Sequence, residues 1–325
     1  MHAIRQYEFG PPATLRYEEV PDPAPAEGQV RIAVTVAGVH FVDTLIRRGD
    51  GPRPRPVLPM TPGREVAGVI DAIGDGVDVE WLGARVVAHL GMASGGYAER
   101  AVTSVESVHR LPDSLADDVA VAMIGTGRTA MAILANLRLT GDDVVLITGA
   151  SGGLGGLLLQ AARNAGALTV GLVSSEAKAE RARDLGADVV QEYSRAGWTD
   201  QLRTALGERE PTIVLDGVGG KYGAGALALL GQGGRLLVYG WSSGEPVPLD
   251  AADLIDRGIT VAPAIDRRLL QRPGGMRELE SRALAAAAEG DLRPEVSTKF
   301  PLHQAAEAHA AVESRATVGK VLLVP

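Results

Sequence analysis

The residues best suited to chemistry are three glycines. Gly149, Gly152 and Gly155 stand at G-x-x-G-x-x-G spacing inside Thr148-Gly149-Ala150-Ser151-Gly152-Gly153-Leu154-Gly155-Gly156. Each has its own physical task. The first permits a tight turn off a strand, the second lets the backbone approach a pyrophosphate, and the third lets a helix pack closely on the strand. The N–H groups and dipole at a helix N-terminus then attract the phosphates. The chain holds 41 glycines, so the spacing alone carries little weight and its flanks decide.

Those flanks are the elements that must position the turn. Val144-Val145-Leu146-Ile147 precedes it as an apolar β-type run, and Leu157 to Ala165 follows as an amphipathic helix. Leu168 to Val173 is a second β-rich run. Strand, glycine turn, helix and strand across residues 143–178 make the βαβ unit of a nucleotide site. The competing reading is a purely structural turn.

The 325 residues suffice for two domains, and 46% hydrophobic with 22% charged residues is ordinary for a soluble globular protein. A net charge of −8 argues against nonspecific nucleic-acid binding. No apolar run reaches the roughly 18–20 residues of a membrane span, and no leader signal precedes Ala13. Cysteine is absent, which removes disulfides, thiolate zinc sites and cysteine nucleophiles. A cytoplasmic, metal-free protein is expected.

Residues 1–118 read as many short strands between Gly and Pro signals, a small barrel-like β domain with a proline-rich loop at Gly51 to Pro59. Val30, Ile32, Val34 and Val36 share one face of a strand. Leu115 to Leu137 reads as helix interrupted at Gly125-Thr126-Gly127. Strands and helices then alternate through Ile259–Ala262, which implies a doubly wound parallel sheet over 119–263. Helices follow at Glu278–Glu289 and Leu302–Glu313. The strand Val318–Val324 returns to the first domain, which residues 264–325 complete.

This order of motifs resembles the medium-chain dehydrogenase/reductase superfamily along essentially the whole chain. It is most similar to the zinc-free quinone oxidoreductases, which include zeta-crystallin. The resemblance is carried by Gly38-Val39-His40-Phe41-Val42-Asp43-Thr44-Leu45-Ile46-Arg47-Arg48-Gly49, Pro62-Gly63-Arg64-Glu65-Val66-Ala67-Gly68, Gly95-Gly96-Tyr97-Ala98-Glu99 and the stretch from Glu313 to Pro325. It implies a Rossmann domain after a GroES-like catalytic domain. Zinc relatives have a ligand cysteine where His40 stands, and a ligand histidine where Arg64 stands. A guanidinium does not coordinate zinc. The span from Leu90 to Gly95 is also too short for a four-cysteine lobe, so no metal is expected.

An NAD site usually carries an acidic side chain where the second strand ends. Here Ser174 and Ser175 take that place, with Lys178 one helical turn on. The resemblance implies that Lys178, Tyr193 and Arg315 bind a 2′-phosphate, which favours NADPH; Lys178 as a solvated helix residue is the alternative, and Glu176 argues for it. The expected cofactor contacts are Thr129, Gly149, Gly152, Gly153, Leu154, Gly155, Ser174, Ser175, Lys178, Tyr193, Gly240, Trp241 and Arg315. Thr129 is equally an ordinary residue of a helix N-terminus, and Asp216 either a cofactor-edge residue or a turn former. The nicotinamide is expected between the domains, at the carboxyl ends of the strands.

Two departures bear on substrate. The quinone reductases usually have Asn where His40 stands and often Asn where Trp241 stands. His40 is read as a hydrogen-bond partner or acid for a carbonyl oxygen, or else as structural. Trp241 is read as a stacking surface, or else as core packing. The expected activity is NADPH-dependent quinone reduction by hydride transfer. The alternatives are reduction of an activated C=C bond and noncatalytic NADPH binding. Ile259–Ala262 at a sheet edge implies a homodimer.

Overall fold

The computed structural model describes residues 1–51, 54–91, 94–315 and 317–325. Pro52 and Arg53 of the proline-rich loop, Met92 and Ala93 of the short 90–95 span, and Ala316 of the C-terminal stretch lie outside the described residues. The strands are β1 (His2–Gln6), β2 (Leu15–Glu19), β3 (Gln29–Val39), β4 (Glu65–Ile73), β5 (Arg85–His89), β6 (Arg100–Ser104), β7 (Val108–Arg110), β8 (Val144–Thr148), β9 (Leu168–Val173), β10 (Val189–Glu192), β11 (Ile213–Asp216), β12 (Arg235–Val238), β13 (Thr260–Pro263), β14 (Val296–Pro301) and β15 (Lys320–Val324). The helices are α1 (Phe41–Arg48), α2 (Asp117–Ala122), α3 (Arg128–Leu134), α4 (Gly153–Asn164), α5 (Glu176–Asp184), α6 (Trp198–Leu206), α7 (Gly220–Leu229), α8 (Ala251–Asp256), α9 (Arg267–Gln271), α10 (Gly275–Ala288) and α11 (Ala305–Glu313).

The chain forms two compact units, residues 1–127 with 280–325, and residues 128–279. These divisions differ from the sequence limits at 119–127 and 264–279. In the first segment α2 packs on β3, β4 and β5. At the start of the second, Ala264 donates its N–H to Val238 O (2.9 Å) and accepts from Asn136 Nδ2 (3.0 Å), which ties it to the second unit.

In the first unit the main sheet runs β14-β15-β3-β4-β5-β7, and β6 also pairs with β3. The alternation read in β3 holds for Val30, Ile32 and Val34, but a register irregularity before Val36 passes the core face to Ala37 and Val39, so Val36, though buried, does not share it. Val30, Ile32, Val34, Ala37 and Val39 pack with Ile70, Val86, Tyr97, Val321 and Leu323 into one core, each large side chain contributing about 1.5–3 kcal/mol. The last strand does return here, since β15 runs antiparallel to β3 with Val321 opposite Val39.

The second unit holds six parallel strands in the order β10-β9-β8-β11-β12-β13. Leu146, Val170, Val214 and Leu236 fill its core. The strand order reverses between β8 and β11, which opens a crevice at their carboxyl ends. The doubly wound fold is therefore as the alternation implied.

One local expectation is corrected. Gly125-Thr126-Gly127 does not interrupt the helix. Met123–Gly127 instead forms a π-helical turn that carries α2 into α3. The wider turn absorbs an extra residue without breaking the chain of backbone bonds. Similarly, the expected helix at 302–313 is a 3-10 turn, Leu302–Gln304, followed by α11. Among the described residues no helix is long and apolar enough to cross a membrane.

Candidate active site

The second unit carries the glycine turn. Gly149 leaves β8 with φ +63°, a conformation that costs glycine nothing. Gly152 caps α4, and Gly153, Leu154 and Gly155 form its first turn, whose N–H groups have no acceptor within the helix. A Cβ added at Gly155 would collide with Gly149 O and lie 2.9 Å from Gly149 C and 3.0 Å from Ala150 Cα. The helix N-terminus is thus seated directly on the turn, a cradle that only a bare backbone leaves open.

Asp216, at the end of β11, is fully buried. Its carboxylate accepts from Thr148 Oγ1 (2.6 Å), Val218 N (3.1 Å) and Gly219 N (3.1 Å). Thr148 Oγ1 in turn accepts from Gly217 N (2.9 Å), and Tyr239 donates its hydroxyl to Thr148 O (3.2 Å). Both rims of the crevice are locked together by this network. The turn reading of Asp216 is the one its geometry matches, because a carboxylate this buried is tolerated only when its oxygens are satisfied.

Where β9 ends, Ser175 caps α5 and Lys178 Nζ donates to Ser174 Oγ (3.2 Å). Glu176 is drawn to Arg183 and Arg195, each 3.4 Å away. Tyr193 donates its N–H to Val173 O (2.9 Å) and packs its buried ring against Tyr222, centroids 4.4 Å apart. Ser174, Lys178 and Tyr193 therefore cluster at one strand end. Arg315, a non-glycine residue at φ +55°, belongs to the other unit. Thr129 is the second residue of α3, and Gly240 and Trp241 follow β12. Trp241 is 56% exposed, so the core-packing alternative for it is wrong. Ser242 N and Ser243 N donate to Gly217 O (3.0 Å) and Val218 O (2.8 Å), which fixes its loop.

The first unit carries His40 at the N-cap of α1. Its N–H donates to Asp43 Oδ2 (2.9 Å), and its ring Nε2 lies 2.5 Å from Glu65 Oε1. Lys320 Nζ stands 2.6 Å from the other carboxylate oxygen of Glu65. Burial pushes the Glu65 carboxyl up, but the His40 and Lys320 charges outweigh it and hold it well below the usual range. Arg64 engages Asp43 Oδ1 (3.1 Å), and Tyr97 donates to Asp43 Oδ2 (3.3 Å). Burial and the Asp43 charge raise the Tyr97 hydroxyl well above its ordinary value. Behind it, His309 Nε2 meets the Tyr97 hydroxyl oxygen (3.2 Å) and its Nδ1 faces Arg47 Nη1 (3.4 Å). Arg47 only donates, and Tyr97 spends its proton on Asp43, so His309 is the neutral Nε2–H tautomer. Burial lowers His309 to about 4.

Sequence reasoning singled out His40 but missed its partners Glu65 and Lys320, the second of which lies 255 residues from Glu65 along the chain. Arg64, read from the sequence only as a residue that does not coordinate zinc, anchors Asp43. Among the described residues no three His, Cys, Asp or Glu side chains converge as metal ligands.

Comparison with known proteins agrees with both halves. Residues 26–113 match the alcohol dehydrogenase GroES-like domain, and residues 153–272 match the zinc-binding dehydrogenase family model. The quinone oxidoreductase of Rattus norvegicus is 33% identical over 330 residues, spanning 100% of this chain and 98% of that protein. A 2-haloacrylate reductase of a Burkholderia species is 33% identical over 330 residues, spanning 98% and 97%. The structure of Escherichia coli quinone oxidoreductase complexed with NADPH superposes with a TM-score of 0.87 at 28% identity, covering 100% of both chains. Similarity of this degree along the full chain places the protein in the quinone oxidoreductase family of the medium-chain dehydrogenases/reductases.

Proposed function

We propose that the protein reduces quinones by hydride transfer from NADPH, without a metal. The observation that carries the cofactor choice is the end of β9. Ser174 and Lys178 stand 3.2 Å apart where an NAD site needs an acid, and the nearby Glu176 is held by two arginines. A 2′-phosphate is favoured by that cation and disfavoured by a carboxylate. Gly149, Gly152 and the first turn of α4 would hold the pyrophosphate, and the space kept by Gly155 fits its approach. Tyr193 and Arg315 would complete the phosphate contacts. Thr129, Gly240 and Trp241 are assigned to the nicotinamide end on family resemblance, and the exposed indole of Trp241 offers an aromatic face to a ring substrate.

The bound cofactor supplies the hydride; the chain's part is to orient the acceptor and meet the charge that forms on it. Quinone reduction leaves a charge that solvent protons neutralise, so no acid–base dyad is required. His40 favours a second reading, reduction of a C=C bond conjugated to a carbonyl. Hydride addition there places negative charge on the carbonyl oxygen, and an imidazole N–H suits that oxygen. The 2-haloacrylate reductase relative supports the same reading.

NADPH oxidation across matched quinones and enones, with binding measured separately, tests these readings. Binding without oxidation in the whole panel would leave a noncatalytic NADPH-binding protein. We also propose a homodimer formed through β13, which pairs with β12 at the edge of its sheet. Sedimentation at micromolar concentration checks it, and a monomeric mass overturns it.

A further inference from the structure

We infer that Glu65 and Lys320 are positioning residues for His40, holding its ring as a charged hydrogen-bond donor to a substrate carbonyl oxygen. This rests on reading the protein as a carbonyl-directed reductase.

The geometry leaves few alternatives. Glu65 is fully buried and Lys320 nearly so, and a buried carboxylate survives only when both oxygens are engaged. Oε2 takes Lys320 at 2.6 Å and Oε1 takes His40 Nε2 at 2.5 Å. An approach of 2.5 Å to a carboxylate oxygen requires Nε2 to carry its proton, so a neutral ring has no N–H left to donate, and His40 serves an oxyanion only as imidazolium, through Nδ1. The ring keeps 22% of its side-chain surface exposed while its two partners are sealed behind it. Backbone and ring are gripped by adjacent residues of one segment: Arg64 holds Asp43, which accepts from His40 N–H, and Glu65 holds Nε2.

Two glycines on separate elements make room for the cluster. A Cβ on Gly125, in the π-helical turn, would strike Glu65 Oε1 and come within 3.2 Å of His40 Nε2. A Cβ on Gly38, in β3, would lie 2.5 Å from Glu65 Oε2 and 2.9 Å from Lys320 Cε. The π-turn thus has a specific task, to bring a side-chain-free residue over the carboxylate. During reduction the hydride brings an electron pair to carbon, charge collects on the carbonyl oxygen, and the imidazolium N–H meets it. The charged and titratable groups around His40 are Glu65 and His89 on neighbouring strands, Lys320 on β15, and Asp43 with Arg64.

The test uses the full-length protein as Glu65→Gln/Lys320→Met, which exchanges the Glu65–Lys320 ion pair for neutral groups of similar size. His40→Gln is the reference. The pH profile of kcat/KM with a conjugated enone and 15N NMR titration of the His40 ring are both recorded. Positioning predicts that kcat/KM at pH 8 falls about 10- to 100-fold, with KM for NADPH unchanged and the alkaline limb moved to lower pH. The NMR titration moves the same way, and the double change costs nothing further once His40 is Gln. An unmoved limb and an unmoved titration overturn the inference, as does an equal loss with and without His40. If the wild type turns over no quinone or enone, the functional reading fails, and the NMR titration alone still decides the positioning.

Discussion

The seat of α4 on the glycine turn yields a prediction that geometry makes quantitative. In Gly155→Ala the new methyl faces only backbone: it collides with Gly149 O and lies 2.9 Å from Gly149 C and 3.0 Å from Ala150 Cα. Carbon atoms rest about 3.5–4.0 Å apart, so the helix N-terminus must retreat by roughly 0.5–1 Å. No flexible side chain can give way instead. Overpacking of this kind costs about 1–3 kcal/mol. The same retreat draws the N–H groups of Gly153, Leu154 and Gly155 away from the pyrophosphate they are proposed to hold. Losing even one good charge-assisted hydrogen bond there costs about 1.5–3 kcal/mol, or roughly a 10- to 150-fold rise in the NADPH Kd.

Thermal unfolding and NADPH fluorescence titration read the two effects separately. Gly141→Ala is the control, since a Cβ there meets only Gly166 O at 3.7 Å, an ordinary contact. The expected result is a lowered Tm and weakened NADPH binding for Gly155→Ala, with the control like wild type in both. If Gly155→Ala bound NADPH with wild-type affinity and melted normally, the cradle would not be where the phosphates go.

Three further outcomes follow from other parts of the chain. Lys178→Ala should weaken NADPH binding about 10- to 100-fold and leave NADH binding unchanged; a wild-type preference for NADH that ignores the substitution contradicts the cofactor assignment. Asp216→Ala strands Thr148 Oγ1, Val218 N and Gly219 N in a buried site, so chemical denaturation should show a loss of about 3 kcal/mol or more, and a change below about 1 kcal/mol rejects that account. His309 takes a proton near the ordinary 6.5 when unfolded but only at about 4 when folded, so falling pH favours the unfolded state across that window. Wild-type stability should drop by about 3 kcal/mol more than that of His309→Gln between pH 7 and pH 4, and parallel pH curves refute it.

What the sequence made legible was local or periodic. The βαβ unit could be read because its turn, caps and apolar runs fall within residues 143–178. The parallel sheet followed from alternation, and the return of the last strand followed from the resemblance of the stretch after Glu313. Contacts made through space were not legible in the same way. Nothing in the spacing links Lys320 to Glu65, and the exposure of Trp241 depends on how the loop after β12 is pinned to Gly217 and Val218. Gly125 and Gly127 looked like helix breakers because their use, clearing space for a buried side chain, appears only once that side chain is in place. Asp43 was quoted only as part of a matching stretch, yet it ties His40, Arg64 and Tyr97 together.

The His40 cluster is nevertheless a consequence of pairing that the strands themselves dictate. β3 is the common partner. On one side Ala37 pairs with Val66, which brings Glu65 alongside Gly38. On the other side Leu322 pairs with Gly38 and Val321 with Val39, which carries Lys320 to the level of His40. Because successive residues of a strand face opposite sides, a slip of one residue in either pairing would turn Glu65 or Lys320 away and bury an unpaired charge. Both faces of β3 and β15 are buried through this stretch, since Val36, Val39, Val321, Leu322 and Leu323 are all buried in the registers observed. The cost of burying an unpaired charge therefore argues for the register observed. That register delivers the acid, the base and the imidazole to one point, although the three come from the early, middle and final parts of the first unit's sequence.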